Sequence, residues 1–249
     1  SIRRQRQMCI RDSYCGSVKL FGCIALLLCL SSRVAVAEDL SLQGAPMNVV
    51  LLPNDTRLAK HLAQRLALDV RTRIVSDVFD AHTLWLLPGY GDADLALAAD
   101  AKKHGCGLVV VAGSAGLPAS LLPNHSGRAL KEPAVGVEGN SASTLGAQLA
   151  FRSMPKLRAR VLLSGPGKIA AAVPNEGAVV MQDDHLVLVG FSPDAVSNEP
   201  LFRWGYWNYF IHAATFQAAG RSFETFADWP GSPTPHRFRK SVWVVFLVS

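Results

Sequence analysis

The chain has 249 residues, of which 49% are hydrophobic and 18% are charged, and its formal net charge is +6. So many apolar residues exclude an intrinsically disordered chain, and the length is enough to bury a full core. The basic excess lies in the first 37 residues, which carry +5 and leave +1 for residues 38–249. Because the remainder is nearly neutral, we expect no nucleic-acid partner.

The first 37 residues carry the signs of added or targeting sequence. Residues 1–13 contain Gln-Met-Cys-Ile-Arg-Asp-Ser, whose possible codons resemble a transposase sequencing adapter read in frame. We interpret them as a cloning or assembly scar, with a disordered basic leader as the alternative. Residues 14–37 hold an apolar run too short to span a bilayer, followed by Ala-Val-Ala before Glu38. This order predicts a secretory signal peptide cleaved before Glu38, with an uncleaved anchor as the alternative.

Cysteine usage limits the chemistry of the remaining chain. Four of the five cysteines precede residue 30, so Cys106 stands alone after the leader. A single cysteine excludes an intrachain disulfide and a cysteine-based metal site. We predict that Cys106 is a packing residue, and we expect neither a metal nor a cofactor.

The carboxyl-terminal stretch suggests a membrane connection. Residues 229–240 are rich in proline and read as a linker, and residues 241–249 are almost entirely apolar. We interpret residues 241–249 as the start of a transmembrane helix that the end of the sequence truncates. A buried edge strand is the alternative, because short apolar runs are ambiguous. Three basic residues just before the run would lie outside the membrane, against the positive-inside tendency.

The domain between these ends, residues 38–228, begins with alternating strands and helices. Met47–Pro53 predicts a buried strand, and Asn54 or Asp55 is expected to cap the helix whose leucines 58, 62 and 66 share one face. The further elements predicted in this half are strands at 72–79, 82–92 and 107–113 and a helix at 93–105. Such alternation predicts a parallel sheet covered by helices on both faces.

The second half is predicted to be rich in strands. Four short strands are expected at 159–165, 168–174, 177–182 and 185–191, the last two joined as a hairpin. A final helix over 199–220 carries six closely spaced aromatic residues. We expect most of them in the core, with a carbohydrate or partner platform as the alternative.

Four motifs occur in the order found in the class I glutamine amidotransferase-like superfamily, which the chain resembles from about Met47 to Ala219. The motifs are Pro88-Gly89-Tyr90-Gly91, Ala112-Gly113-Ser114-Ala115-Gly116, Leu188-Val189-Gly190-Phe191-Ser192-Pro193-Asp194 and Asn208-Tyr209-Phe210. In the family these are the oxyanion loop, the nucleophile elbow, the segment with the catalytic histidine and acid, and part of the last helix. The resemblance implies a flavodoxin-like α/β fold with a β-rich second half.

The departures from the family pattern imply a degenerate site. Ser114 stands at the cysteine nucleophile position and Ser192 at the histidine position, while Asp194 keeps a carboxylate. A serine hydroxyl stays protonated at neutral pH unless a base assists it, and Ser192 is no base. Pro118 and Pro123 should also interrupt the helix expected after the elbow.

The backbone of a degenerate elbow can still bind. Ligands in such folds lie beyond the carboxyl ends of the strands, and oriented amides attract anions. We therefore expect one pocket lined by elements of three motifs, namely Gly89, Tyr90, Gly113, Ser114, Ala115, Ser192 and Asp194.

An active serine hydrolase is the alternative. Serine peptidases of the same superfamily carry G-x-S-A-G at the elbow and take their histidine from another loop, so His125 or His185 would serve Ser114 as the base. A metal site at Asp183, Asp184 and His185 is less favoured than a solvated turn, because adjacent residues on a hairpin point in different directions.

The sequence thus predicts a non-catalytic, exported and membrane-anchored domain that acts as a ligand-binding or interaction module. Its expected partner is a small anionic ligand or a membrane protein, and its expected location is extracytoplasmic.

Overall fold

A computed structural model of the protein describes residues 46–114 and 116–231. The strands of this part are β1 Met47–Leu52, β2 Thr72–Ile74, β3 Thr83–Leu86, β4 Gly107–Val111, β5 Ser126–Leu130, β6 Glu138–Gly139, β7 Arg160–Ser164, β8 Lys168–Val173, β9 Gly177–Asp183 and β10 Leu186–Val189. The α-helices are α1 Arg57–Leu66, α2 Asp92–Lys103, α3 Thr144–Gln148 and α4 Trp207–Ala218. Short 3₁₀ helices cover Val78–Asp80, Phe151–Ser153 and Val196–Arg203.

The predicted terminal segments fall outside these residues. The scar, the signal peptide, the apolar run 241–249 and all of the linker beyond residue 231 lie outside the described part of the chain. Among residues 46–114 and 116–231, no helix is long and apolar enough to cross a membrane.

The sheet confirms the predicted fold class. Its main path runs in the order β2-β1-β3-β4-β10-β9-β7-β5. The pairs from β2 to β10 are all parallel, and the pairs from β10 to β5 are antiparallel. If β10 is counted as the fifth parallel strand, the parallel part has the flavodoxin-like order 2-1-3-4-5. The predicted hairpin between β9 and β10 is also confirmed, with Asp183 opposite Leu186.

Apolar residues on both faces of the parallel strands explain the layered core. Along β4, Val109 and Val111 belong to one buried cluster while Leu108 and Val110 belong to another, because successive side chains point to opposite faces. Helices α1 and α4 cover the first cluster, and α2 covers the second. The sheet is therefore covered by helices on both sides, as predicted.

Helix α1 forms because its apolar residues repeat at helical spacing. Leu58, Leu62 and Leu66 are buried on one face. The predicted cap was wrong by one or two positions, since the side chain of Thr56 accepts the hydrogen bond from the Ala59 amide at 3.1 Å. A threonine at this position satisfies one amide that the first turn leaves unpaired.

The predicted single helix at 199–220 is instead two segments. The 3₁₀ helix Val196–Arg203 contains Pro200, and α4 begins only after Gly205. Proline lacks the amide that a continuous α-helix would need, which accounts for the division. Of the six aromatic residues, Trp204, Trp207, Tyr209 and Phe210 are buried while Phe202 and Tyr206 are partly exposed.

The boundary at residue 228 needs correction by one residue. Trp229, which the sequence assigned to the linker, is buried in the first apolar cluster. Its ring centroid lies 5.6 Å from that of His212 and 5.7 Å from that of Tyr209, both on α4. Since an indole contributes a large apolar area to a core, the packed domain extends at least to Trp229.

The close approach of β4 to α4 predicts one sensitive position. A Cβ added at Gly107 would overlap the backbone carbonyl of Ala218, which no side chain can relieve. We expect Gly107→Ala to lower the free energy of unfolding by about 3 kcal/mol. Gly136→Ala is the matched control, because a Cβ there meets nothing within 4 Å. Urea denaturation followed by circular dichroism measures both, and equal stabilities would contradict the contact.

Candidate functional site

The pairing of β4 with β10 brings two of the four motifs together. The strands are parallel, with Leu108 opposite Leu186 and Val111 opposite Val189. Both strands end at the same edge of the sheet, three residues before Ser114 and Ser192 respectively. Both serines line one cleft of about 780 Å³ at the carboxyl edge of the sheet.

The elbow after β4 is a closed turn and does not lead into a helix. The Gly116 amide donates to the Gly113 carbonyl at 3.0 Å, and Gly116 has φ +89°. A Cβ at Gly116 would lie 2.9 Å from the Gly127 carbonyl, so conformation and space both require glycine. The chain then passes through turns to His125, and the interruption predicted from Pro118 and Pro123 is confirmed. The elbow amides therefore lack the dipole of a following helix.

The wall opposite the elbow is organised by a buried asparagine. Asn198 accepts hydrogen bonds from the Arg158 and Ala159 amides at 3.1 and 3.3 Å and donates to the carbonyls of Ala159 and Ser192 at 2.6 and 3.3 Å. It is 1% exposed. Sequence reasoning missed this residue, because its role depends on contacts with residues about forty positions away.

The serine hydroxyls of the cleft differ in their partners. The Ser192 hydroxyl accepts the Asp194 amide at 3.2 Å, which is a local turn contact. Ser114 is exposed.

Most of the cleft wall is apolar, and its charges are nearly balanced. The apolar lining includes Leu130, Val161, Phe191 and the 90% exposed Val196. Three charged residues of the lining, Arg158, Glu132 and Arg160, already have ion-pair partners. The buried Arg160 guanidinium binds Glu176 at 2.6 Å, and Arg158 lies 3.2 Å from Glu132.

Lys131 and Asp194 complete the charged lining. Neither has an ion-pair partner within the described residues. The cleft therefore offers one available cation and one available carboxylate beside an apolar surface.

The remaining predicted pocket residues do not all reach this cleft. Gly113, Ser114, Ser192 and Asp194 line it, but Gly89 and Tyr90 do not. Pro88 of the same motif lines the cleft instead. The Cβ atom of Pro88 is close to Gly113, since it lies 3.6 Å from the position that a Cβ at Gly113 would occupy. The Tyr90 ring instead packs against the apolar cluster under α2, and burial raises the pKa of its hydroxyl. Ala115 lies outside the described residues.

Neither histidine of the serine hydrolase alternative lies with Ser114. His185 precedes β10 and is level with Gly107, at the other end of β4, which spans about 13 Å. Its Nδ1 lies 3.2 Å from the Ala218 carbonyl. His125 lies 3.2 Å from the Pro166 carbonyl and lines a different hollow with His185. No described histidine lines the cleft that holds Ser114.

That second hollow also contains Cys106 and the hairpin aspartates 183 and 184. Cys106 is buried, as predicted for a packing residue, and burial raises the pKa of its thiol to about 11. No group of three or more histidine, cysteine, aspartate or glutamate residues within 46–114 and 116–231 is arranged to hold a metal ion.

A buried ionic cluster joins α4 to the first half of the chain, and no sequence pattern predicted it. Asp69 binds Arg71 through two hydrogen bonds of 3.0 Å, and its Oδ2 lies 3.0 Å from His212 Nδ1 on α4. Arg71 also contacts Glu224. Burial by itself raises the pKa of the Asp69 carboxyl, but hydrogen bonds from His212 and Arg71 outweigh it and hold that pKa below its usual range.

No protein-family model matches the sequence, and no curated protein matches it. Among solved structures the chain is similar to a beta-galactosidase from the psychrophilic Marinomonas ef1, with 12% identity and a TM-score of 0.42 over 78% of this chain and 32% of that chain. It thus spans about a third of that protein's length.

Two further similar structures are a glutamine amidotransferase and a glutaminase domain. A glutamine amidotransferase from Thermotoga maritima has 10% identity and a TM-score of 0.43 over 71% of this chain and 99% of that chain. The glutaminase domain of CTPS from Trypanosoma brucei, with bound acivicin, has 11% identity and a TM-score of 0.39 over 76% and 98%. All three TM-scores are below 0.5, so nothing about activity follows from these likenesses.

The ionic cluster predicts a pH-dependent stability. We expect Asp69→Asn to lower the free energy of unfolding by roughly 2–3 kcal/mol at pH 7, because it removes the carboxylate that Arg71 and His212 face. The folded-state pKa of Asp69 lies below the unfolded value of about 4, so the stabilisation is present above that pH and is lost as the pH falls through the folded-state pKa.

Denaturant titrations of wild type and variant between pH 3 and 8 measure this difference. The exposed Asp184→Asn is the control and should change the unfolding free energy little. A wild-type-to-Asp69→Asn difference that does not shrink below about pH 4 would contradict an ionic origin.

Proposed function

We propose that the domain is a non-catalytic, exported amidotransferase-like module that is tethered to a membrane and binds a ligand in the carboxyl-edge cleft. One observation carries the proposal. Ser114 and Ser192 lie in the same cleft, as the motif order requires, and none of the described histidines lines it. The flavodoxin-like strand order supports the same assignment.

The absence of a described histidine from the cleft of Ser114 argues against nucleophilic catalysis. A serine hydroxyl attacks only when a neighbouring group takes its proton. Ser192 cannot do so, and its hydroxyl already accepts the Asp194 amide. Asp194 remains as a carboxylate, but it has no imidazole in the cleft to orient.

The lining favours a small carboxylate with an apolar body. Leu130, Val161 and Phe191 supply an apolar surface, and a cleft of this kind holds a ligand mainly by its apolar contacts. Lys131 supplies a cation without an ion-pair partner in the described chain, and the elbow turn supplies backbone amides. Asp194 would repel the carboxylate, so we place the ligand's charged end towards Lys131 and away from Asp194.

The terminal segments motivate the cellular part of the proposal. A signal peptide before Glu38 would export the domain, and the apolar residues 241–249 would begin its membrane anchor. The location is then extracytoplasmic, and a membrane protein is the alternative partner for the module.

The lack of a described histidine in the cleft predicts the outcome of active-site labelling. We expect a fluorophosphonate probe to leave Ser114 unlabelled at pH 7.5, while a trypsin control in the same reaction is labelled. Peptide mass spectrometry locates any adduct, and Ser114→Ala shows whether it depends on this hydroxyl. Labelling at Ser114 that disappears in the variant would instead establish the serine hydrolase alternative.

The proposed ligand class predicts a titration result. We expect hexanoate to shift the amide resonances of Gly113 and Ser114 in a saturable manner, and hexanol, which shares the chain but lacks the carboxylate, to bind about tenfold more weakly. Lys131→Gln should weaken hexanoate to the level of hexanol. Lys168→Gln, which removes the same charge outside the cleft, should leave its affinity unchanged. No shift at either amide would exclude carboxylate binding at the elbow.

A further inference from the structure

Another hollow, of about 590 Å³ and distinct from the one that contains Cys106, lies between α1 and the 3₁₀ helix Val196–Arg203. Its α1 wall consists of the polar residues opposite the buried leucines, and its other wall comes from the 3₁₀ helix. The residues of this basic hollow that matter for its charge are Arg57, Lys60, His61, Arg65, Glu199 and Arg203. Positions 57, 60–61 and 64–65 recur every three or four residues, so they form one stripe along the helix.

The basic hollow has more cations than carboxylates. Four arginine or lysine side chains face it against the single carboxylate of Glu199. Glu199 lies 3.5 Å from Arg57, and these two side chains are 57% and 65% exposed, so their pairing is weak. Lys60, Arg65 and Arg203 have no ion-pair partner in the described chain. The hollow is therefore an uncompensated positive site.

His61 presents a hydrogen-bond donor to the basic hollow. Trp207 Nε1 donates to His61 Nε2 at 3.1 Å, so the proton of the neutral imidazole resides on Nδ1. Burial lowers the pKa of His61, and the nearby Arg65 and Arg57 lower it further, while Asp194 opposes them. The imidazole thus stays a neutral donor, because burial and, to a smaller extent, the neighbouring arginines disfavour its charged form.

Phe202 packs against one cation of the basic hollow and against its imidazole. The Phe202 ring centroid lies 5.3 Å from the Arg57 guanidinium carbon and 4.4 Å from the centroid of the His61 ring. Such contacts fix side chains that would otherwise lose rotamer freedom on binding.

One donor in the basic hollow lacks an acceptor. The Nε atom of Arg65 is buried and has no hydrogen-bond partner among the described residues. A buried donor without an acceptor carries a penalty of about 1–3 kcal/mol. The unsatisfied donor belongs to a side chain that lines the basic hollow.

A bound anion would also stabilise helix α1. Like charges three and four residues apart repel, and a cation in the first turn opposes the helix dipole. Arg57 and Lys60 have both disadvantages, since α1 has no acidic residue in its first turn. A bound anion would relieve both repulsions.

We propose that the basic hollow binds a small oxyanion carrying at least two negative charges, such as a diphosphate group. Guanidinium groups match the geometry of phosphate oxygens, and four cations against one carboxylate suit a multivalent anion. The site lies in a concavity between two walls, which admits a small soluble anion more readily than the flat surface of an anionic bilayer. This site is separate from the carboxyl-edge cleft, because Val196 and Ser197 of the 3₁₀ helix line the cleft while Glu199 and Arg203 line the hollow.

Calorimetric titration with inorganic pyrophosphate at low ionic strength tests the proposal. We expect saturable binding of one pyrophosphate, with an affinity that falls as sodium chloride screens the charges. Lys60→Gln and Arg203→Gln each remove an exposed cation of the hollow and should weaken binding about tenfold. Arg73→Gln removes an exposed arginine of β2, outside the hollow, and should leave the affinity unchanged.

Three results would overturn the proposal. The first is no saturable binding to the wild-type protein, and the second is an equal loss of affinity in Arg73→Gln. The third is sedimentation with phosphatidylglycerol vesicles that excess pyrophosphate does not reverse, which would identify a membrane surface as the partner. Circular dichroism of each variant confirms that the fold is retained, so that a lost affinity reports the site.

Discussion

The parallel pairing of β4 with β10 is the constraint on which the candidate site depends. The two strands are separated by more than seventy residues, yet both end at one edge of the sheet, where Ser114 and Ser192 line the same cleft. The same pairing sends His185 to the opposite edge, because it precedes β10 and Ser114 follows β4. Strand direction thus decides which polar side chains can meet, and here it brings together two hydroxyls and no imidazole of the described chain.

The backbone around the elbow determines the shape of the cleft at this edge. Gly116 turns the chain back onto Gly113, and the carbonyl of Gly127 lies too close for any side chain there. The following segment forms turns, so no helix dipole reinforces the amides at Ser114. What remains is a mostly apolar cleft with Lys131 and Asp194 as its available charges. Apolar contact and one charge interaction are enough for a ligand, and no described histidine lines the cleft as a base for Ser114.

The 3₁₀ helix Val196–Arg203 connects the two concave sites of the domain. At its start Val196 and Ser197 line the carboxyl-edge cleft, and at its end Phe202 and Arg203 line the basic hollow. Asn198, buried between them, ties this helix to the chain at Arg158 and Ala159. The same buried hydrogen bonds therefore hold a wall of both concave sites.

The sequence by itself determined the layered α/β fold. The alternating apolar strands and the leucine stripe of α1 are local patterns whose burial has few solutions. The order of the motifs in the sequence also predicted that Ser114 and Ser192 line one cleft. Sequence reasoning failed where the outcome depends on contacts between distant residues. Tyr90 packs under α2 away from the cleft, Trp229 packs into the core, and Asn198 and Asp69 acquire buried partners from elsewhere in the chain. Hydrogen bonds and side-chain packing of this kind carry no periodic signal, so only the tertiary structure decided which side chains line the cleft and which hold it in place.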